Sequence, residues 1–299
     1  MNMLTNFTIV SIHRNTIQFK VQTTCTLEDL FQTFCISKAR KKYFLCRETI
    51  FEPNKIYTIY TQIKQDEMPC IDQSIDIVYE DNLLLIVNKP TDLLVHTDGN
   101  TIDTLTARVH YYALIEQLPF YPMPLHRIDK ETSGLVLYSK QPFFHAFFDQ
   151  QIAEHHIKKT YLAIVKGNFP FKTKQITKPI ARNRHNAKKM MCIQSGKPAH
   201  TKITRVSAKR NTSLLKVKIT TGRKHQIRVH LQSLGYPIYN DPLYGTIYDN
   251  RKLLLESYQV TFFDPIQKKS IEVTAPIDLR FHPYTNNDLK ESKAHLIDR

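Results

Sequence analysis

Hydrophobic and polar residues alternate, or repeat at helical spacing, in blocks along the whole chain. Near the N-terminus, LEDLFQTFCISKARKKYFL sets apolar positions beside a basic stretch and predicts one or two short helices, while IYTIYTQI alternates as a strand does. The polar segment 64–76, KQDEMPCIDQSID, carries a proline and predicts a linker. Beyond it, IDIVYEDNLLLIVNKP holds two β-rich runs around Asp81-Asn82, a hairpin signal. Thr101 is expected to cap a helix reaching about Leu118, with Leu105, Val109, Tyr112 and Leu114 on its apolar side. A proline-rich break, LPFYPMPLHR, leads through a loop into the strand GLVLYSK. A helix is predicted from Pro142 to about His155.

The second half reads mainly as strands: KKTYLAIVKG, AHTKITRVSAK and SLLKVKITT, with a hairpin around Lys209–Thr212. In LLKVKIT, Lys216 and Lys218 alternate with Leu215, Val217 and Ile219, the pattern of a strand with one buried and one wet face. KHQIRVHLQSLG is helical, with Ile227, Leu231 and Leu234 on one face, Arg228 on the other and Gly235 as the stop. LLLESYQVTFF and SIEVTAP are the last strands. Recurring hairpins with a few helices predict an α/β (α+β) fold: a mixed, mainly antiparallel central sheet flanked by helices, preceded by a small basic module.

Composition narrows the class. The 299 residues are 41% hydrophobic and 23% charged, which excludes a disordered or membrane-embedded chain. No apolar run reaches the roughly 18 residues of a spanning helix, and MNMLTNFTIVSIHRN lacks the pattern of a secretory leader. The net charge of +15 favours a polyanionic partner, nucleic acid first. The five cysteines, an odd number without a CxxC pair, fit reduced thiols in a cytoplasmic protein.

Three segments carry candidate chemistry. HRIDKETSGLVLYSK places Arg127, Asp129 and a Thr-Ser-Gly turn just before a strand, where sites are commonly built, although an ordinary capped loop has the same composition. TGRKHQIRVHLQSLGYPIYNDPLYG puts a Gly-Arg-Lys turn at a helix start, a ready anion site. Its His225 and His230 lie on different helix faces with no third ligand, so no metal is expected. KKTYLAIVKG sets Tyr161 in a strand behind two lysines; a half-buried packing tyrosine is the plainer reading.

Together these segments resemble the RluA-type pseudouridine synthases. The family's His-Arg-Leu-Asp-x-x-Thr-Ser-Gly-Leu appears as HRIDKETSGL, its Lys-x-Tyr strand as KKTYLAIVKG, and its Gly-Arg-Thr-His-Gln-Ile-Arg-Val-His as GRKHQIRVH, with Lys224 in place of threonine. YEDNLLLIVNKPTDLLVH is similar to the family's opening hairpin, with Asp92 where glycine is usual. GKPAHTKITRV and YPIYNDPLYG match further segments. The resemblance spans residues 75–283. It departs where Leu255-Glu256-Ser257 and Asp264-Pro265 replace the usual Leu-His-Ala and His-Pro. Residues 1–70 resemble a degenerate S4-like (alpha-L) RNA-binding module lacking the usual Asn-Gly hairpin, which leaves 71–299 as the catalytic domain.

The resemblance implies the pseudouridine synthase catalytic fold and an isomerase that needs neither cofactor nor metal. The uracil–ribose bond is broken, the base turned, and a carbon–carbon bond made. Asp129 would be the catalytic carboxylate, with Arg228 holding it ionised and Tyr161 stacking on the detached base. Ile227 and Leu231 would line the pocket. Arg127 would fill the gap left by a flipped uridine. Lys158, Lys159, Arg182, Arg184, Lys188 and Lys189 would contact phosphate. The expected partner is structured RNA, ribosomal or alternatively transfer RNA, bound by a monomer with no membrane association. An inert RNA-binding assembly factor is the alternative of another class. A glycosidase-like hydrolase is set aside for want of a second carboxylate in the matched segments.

Overall fold

The computed structural model describes residues 2–63, 67–209 and 211–284. The first three residues of the expected linker, and the tail beyond 284, lie outside the described residues. In the N-terminal part, β1 (Phe7–His13), β2 (Thr16–Val21), β3 (Phe44–Leu45) and β4 (Tyr57–Thr61) form an antiparallel sheet in the order β1-β2-β4-β3. The two short helices are α1 (Leu27–Thr33) and α2 (Lys38–Lys41). A reciprocal capping box opens α1: Thr26 accepts from the Asp29 N–H, and the Asp29 carboxylate accepts from the Thr26 N–H at 2.7 Å. The β1–β2 hairpin was not among the expected elements.

Residues 67–75 have no regular structure. Then follow β5 (Asp76–Glu80), β6 (Leu84–Lys89), α3 (Leu105–Ile115), β7 (Ser133–Ser139), α4 (Pro142–Ala153) and β8 (Lys158–Lys166). Next come β9 (Thr173–Ile176), the hairpin of β10 (Ile180–Arg182) and β11 (Met190–Cys192), β12 (Thr201–Lys209), β13 (Thr212–Ile219) and α5 (Gln226–Ser233). β14 (Leu255–Asp264) and β15 (Lys269–Thr274) complete the set. The main sheet runs β9-β12-β13-β8-β14-β7-β6-β5, with β15 and the short strand Met123–Pro124 attached at its sides. Its pairings are antiparallel except β7 against β14, where Ser133 faces Glu256 and Gly134 faces Ser257. Gly134 has φ +104°, and a Cβ there would sit 2.3 Å from the Ser257 carbonyl oxygen, so only glycine permits this seam.

Two expectations are corrected. α3 is capped by Thr104, whose hydroxyl accepts from the Ala107 N–H at 3.2 Å; Thr101 instead closes a turn on Asp98. The stripe that α3 buries is Leu105, Val109 and Ala113, one turn apart, and Leu114, next around the helix, is exposed. The first six residues of α5, Gln226 through Leu231, are all buried, Arg228 among them, and only Gln232 in its last turn is exposed.

The core is continuous between the N-terminal part and α4. Phe34 meets the rings of Phe143 and Phe144 at 5.2 and 5.4 Å, and Phe44 meets Phe143 at 5.2 Å. All five cysteines are free, and no described helix is long and apolar enough to cross a membrane.

Candidate active site

Asp129 lies in the loop that enters β7, and the loop is held from below. Lys89, at the end of β6, is buried, and its ammonium donates to three backbone carbonyls: Pro90 and Leu93 at 2.7 Å and Lys130 at 2.9 Å. Thr91 donates to the carbonyl of Glu131 at 2.8 Å. Burial pushes the Lys89 pKa down to about 7, against the pull of Asp129, Asp92 and Glu131. Asp92 sits at φ +62°, which accounts for the glycine usual there; aspartate is among the few residues that tolerate this conformation. Neither Lys89 nor Thr91 was singled out from the sequence. The available signal was a lysine closing the apolar run LLLIVNK.

Arg228 projects from α5 with no exposed side-chain area. Nε and Nη2 donate to the two oxygens of Asp241, both at 2.8 Å. Nη1 donates to Glu131 at 3.1 Å and stands 3.6 Å from Asp129 Oδ2. The Arg228–Asp129 meeting is therefore an ion pair beyond hydrogen-bond length, while Asp241 takes the bidentate fork. Asp241 in turn accepts from the N–H groups of Leu243 and Tyr244. Burial works against the Arg228 charge, but the Asp241 carboxylate outweighs it and holds the guanidinium protonated. Chemically, Arg228 is locked by Asp241, with Glu131 on its third nitrogen, and lends its field to Asp129, which stays uncovered. Asp129 keeps a quarter of its side chain open to the cavity. Glu131 and Asp241 also correct the expectation that the matched segments hold no second carboxylate; both are engaged by Arg228, and neither flanks Asp129 as a free partner.

Asp129 and Arg228 share a cavity of about 290 Å³ with Arg127, Lys159, Tyr161, Ile227, Leu255 and the Gly222–His225 turn. β8 alternation points Lys159 and Tyr161 into it. Burial, then the charge of Asp129, raises the Tyr161 pKa and keeps the phenol protonated. Burial lowers that of Lys159, which has no acidic partner among the described residues. Ile227 lines the wall. Leu231 does not: one turn on, it is wholly enclosed in the core. Lys158 does not reach the cavity either, since its side chain leaves the opposite face of β8, beside Thr261. Arg182, Arg184 and Lys188 are exposed on the β10–β11 hairpin, and the Lys189 ammonium lies 5.9 Å from the Tyr244 ring centre. His230 is tied by both nitrogens, to Thr201 Oγ1 and the Lys178 carbonyl, each at 2.9 Å. Among the described residues no cluster of His, Cys, Asp and Glu has the makings of a metal site.

On the far face of β14 from Leu255, Glu256 is fully buried; among the described residues its carboxyl oxygens have no hydrogen-bond partner at good geometry, the Asp278 N–H being no more than a weak donor. Burial, with a contribution from Asp278, pushes its pKa up to about 8.

Residues 83–233 match the family model described as RNA pseudouridylate synthase. The chain is 37% identical over 210 residues to the uncharacterized RNA pseudouridine synthase YhcT of Bacillus subtilis (strain 168), covering 68% of each. It is 33% identical over 222 residues to ribosomal large subunit pseudouridine synthase C of Buchnera aphidicola subsp. Schizaphis graminum, covering 71% of this chain and 70% of that one. Synthase D of Zymomonas mobilis is 34% identical over 221 residues, covering 68% and 69%. Among solved structures, human RNA pseudouridylate synthase domain containing 1 aligns with a TM-score of 0.57 at 25% identity, over 70% of this chain and 86% of that one.

Proposed function

The chain belongs to the RluA-type RNA pseudouridine synthases, and from that premise we propose that it isomerises uridine in large-subunit ribosomal RNA with Asp129 as its catalytic carboxylate. The class of reaction, an isomerisation on RNA, is given by the family. The ribosomal target is supported by the names of the relatives, synthases C and D of the large subunit. The observation that carries the catalytic assignment is the uncovered Asp129 carboxylate, 3.6 Å from the locked Arg228 and in one cavity with Tyr161.

In this reading an extruded uridine enters the cavity with its sugar beside Asp129. The glycosidic carbon–nitrogen bond breaks, the uracil turns, carbon 5 bonds to the ribose, and the proton lost from carbon 5 is balanced by one gained at the freed ring nitrogen. Arg228 keeps the carboxylate charged, and the Tyr161 ring supports the base. Ile227 forms an apolar wall. The exposed Arg127 occupies the place of the missing base, and Lys159 and the β10–β11 hairpin meet phosphate. The N-terminal residues serve as an additional RNA contact.

Asp129→Asn tests this. Pseudouridine formation, read by carbodiimide labelling, should vanish while RNA affinity stays within a few fold; substantial turnover by the variant would remove Asp129 from the mechanism. Comparing pseudouridine maps of ribosomal and transfer RNA from cells with and without the gene tests the target.

A further inference from the structure

His225 lines the cavity and has no part in the mechanism above. It caps α5 in the left-handed region at φ +55°, a conformation that disfavours most non-glycine residues. Its ring is buried, lines the cavity, and packs edge-on against Tyr244 at 5.6 Å between centroids.

The hydrogen bonds at Tyr244 decide which nitrogen of His225 carries the proton. The Met190 backbone N–H, which can only donate, reaches the Tyr244 hydroxyl at 2.7 Å. The same hydroxyl lies 2.9 Å from His225 Nδ1. Among the described residues Nδ1 is the acceptor within reach of the hydroxyl proton, so the arrangement that satisfies that proton inside the protein has Tyr244 accepting from Met190 and donating to Nδ1. Nδ1 is then the acceptor, and the neutral ring carries its proton on Nε2. A second ring proton is disfavoured by burial and by the nearby Arg228 and Lys224 charges, against Asp129 and Glu131. Among the described residues Nε2 has no hydrogen-bond partner, and the ring lines the cavity. Tyr244 is meanwhile fixed from below: its ring lies 5.4 Å from the Arg228 guanidinium carbon, and its N–H is held by Asp241.

We propose that His225 presents an Nε2–H donor to a carbonyl oxygen of the uracil as it leaves the ribose, and that Tyr244 is the positioning residue that fixes this tautomer. The proposal rests on the pseudouridine synthase reading of the cavity. When the carbon–nitrogen bond breaks, the base takes the electron pair, and the negative charge spreads onto its carbonyl oxygens. A neutral N–H aimed there stabilises that charge without handing over its proton, which an imidazolium would be prone to do. The donor stays in place while the base turns, so it acts on cleavage and reattachment alike.

The test has two arms on the full chain. In the first, ¹⁵N-histidine-labelled protein without RNA is examined by long-range proton–nitrogen NMR, with His225→Asn identifying the resonance. A neutral Nε2–H ring is expected between pH 6 and 8, with the preference lost in Tyr244→Phe; an Nδ1–H ring in the wild type overturns the proposal. In the second, single-turnover rates are measured on unmodified large-subunit ribosomal RNA transcript. His225→Ala should lose on the order of 10²-fold in rate with RNA affinity nearly unchanged. Tyr244→Phe, which keeps the ring on Arg228, should lose less. His225→Asn should recover part of the rate, because asparagine tolerates the left-handed backbone and still carries N–H groups. A His225→Ala rate within twofold of wild type overturns the proposal. Failure of the Asp129 assignment shows separately, as turnover by Asp129→Asn, and leaves the NMR arm decisive for His225.

Discussion

Glu256→Gln should stabilise this protein, and more so as the pH rises. The native carboxyl is fully buried, with no more than a weak backbone donor at Asp278, and its pKa is raised from 4.5 to about 8. Folded chains therefore keep a proton that unfolded chains lose above pH 4.5. The contribution to stability is whole below the unfolded value, declines as the pH climbs, and is gone above the folded one. At ~1.4 kcal/mol per pKa unit, the full shift corresponds to roughly 5 kcal/mol. Relaxation and water entry around the ionised group bring the expected figure to about 2–3 kcal/mol at pH 8.5. Glutamine copies the shape of the protonated acid and has nothing to titrate. In a chain of this size each kcal/mol moves Tm by about 2 °C. Calorimetry at pH 4.5, 6.5 and 8.5 should show nearly equal Tm values at the first pH and a variant about 4–6 °C more stable at the last. Groups common to both proteins cancel in the difference. A Tm gap that does not change with pH, or a variant less stable at pH 8.5, refutes the reasoning.

Three further outcomes follow from the packing. Gly134→Ala forces a Cβ to 2.3 Å from the Ser257 oxygen at a left-handed backbone, so a loss above ~3 kcal/mol and a collapse in soluble yield are expected; near-wild-type Tm would mean that the seam can shift. Asp241→Asn keeps the shape but withdraws the bidentate charge from a buried guanidinium, which should lower Tm and cut kcat while RNA affinity, measured by filter binding, holds. Leu231→Ala should cost about 2–5 kcal/mol by leaving a hole in the core, whereas Ile227→Ala should act mainly on kcat/KM; denaturant titration with steady-state kinetics separates the two.

Periodicity exposed the β5–β6 hairpin, β7, α4, β8, the β12–β13 hairpin and α5, because each is long or bounded by a clear turn signal. It missed β1, whose alternation breaks at a bulge between Ile9 and Ser11, and β2, although Ile17, Phe19 and Val21 alternate there with Thr16, Gln18 and Lys20; it placed the α3 cap three residues early, since Thr101 and Thr104 are equally good caps in isolation. The resemblance brought Asp129, Tyr161 and Arg228 together across the chain. The partners of Arg228 were not legible. Asp241 sits in YNDPLYG, thirteen residues on, and only the return of that loop over α5 sets it against the guanidinium. The placements of Leu231 and Lys158 failed for a shared reason: spacing tells which residues lie on one face, and only tertiary packing tells which face meets the cavity. The roles of Lys89 and Thr91 depend on a backbone they touch some forty residues later.

The parallel pairing of β7 with β14 has a consequence for synthesis. It joins Gly134 to Ser257, and the cavity takes one wall from β7's entry loop and another from Leu255 on the incoming strand. A ribosome-bound nascent chain that ends before residue 255 therefore lacks the strand that sets β8, with Tyr161, beside β7, whose entry loop carries Asp129. That closure spans more than a hundred residues and comes late. Polypeptides caught mid-translation are consequently expected to be inert until that strand emerges.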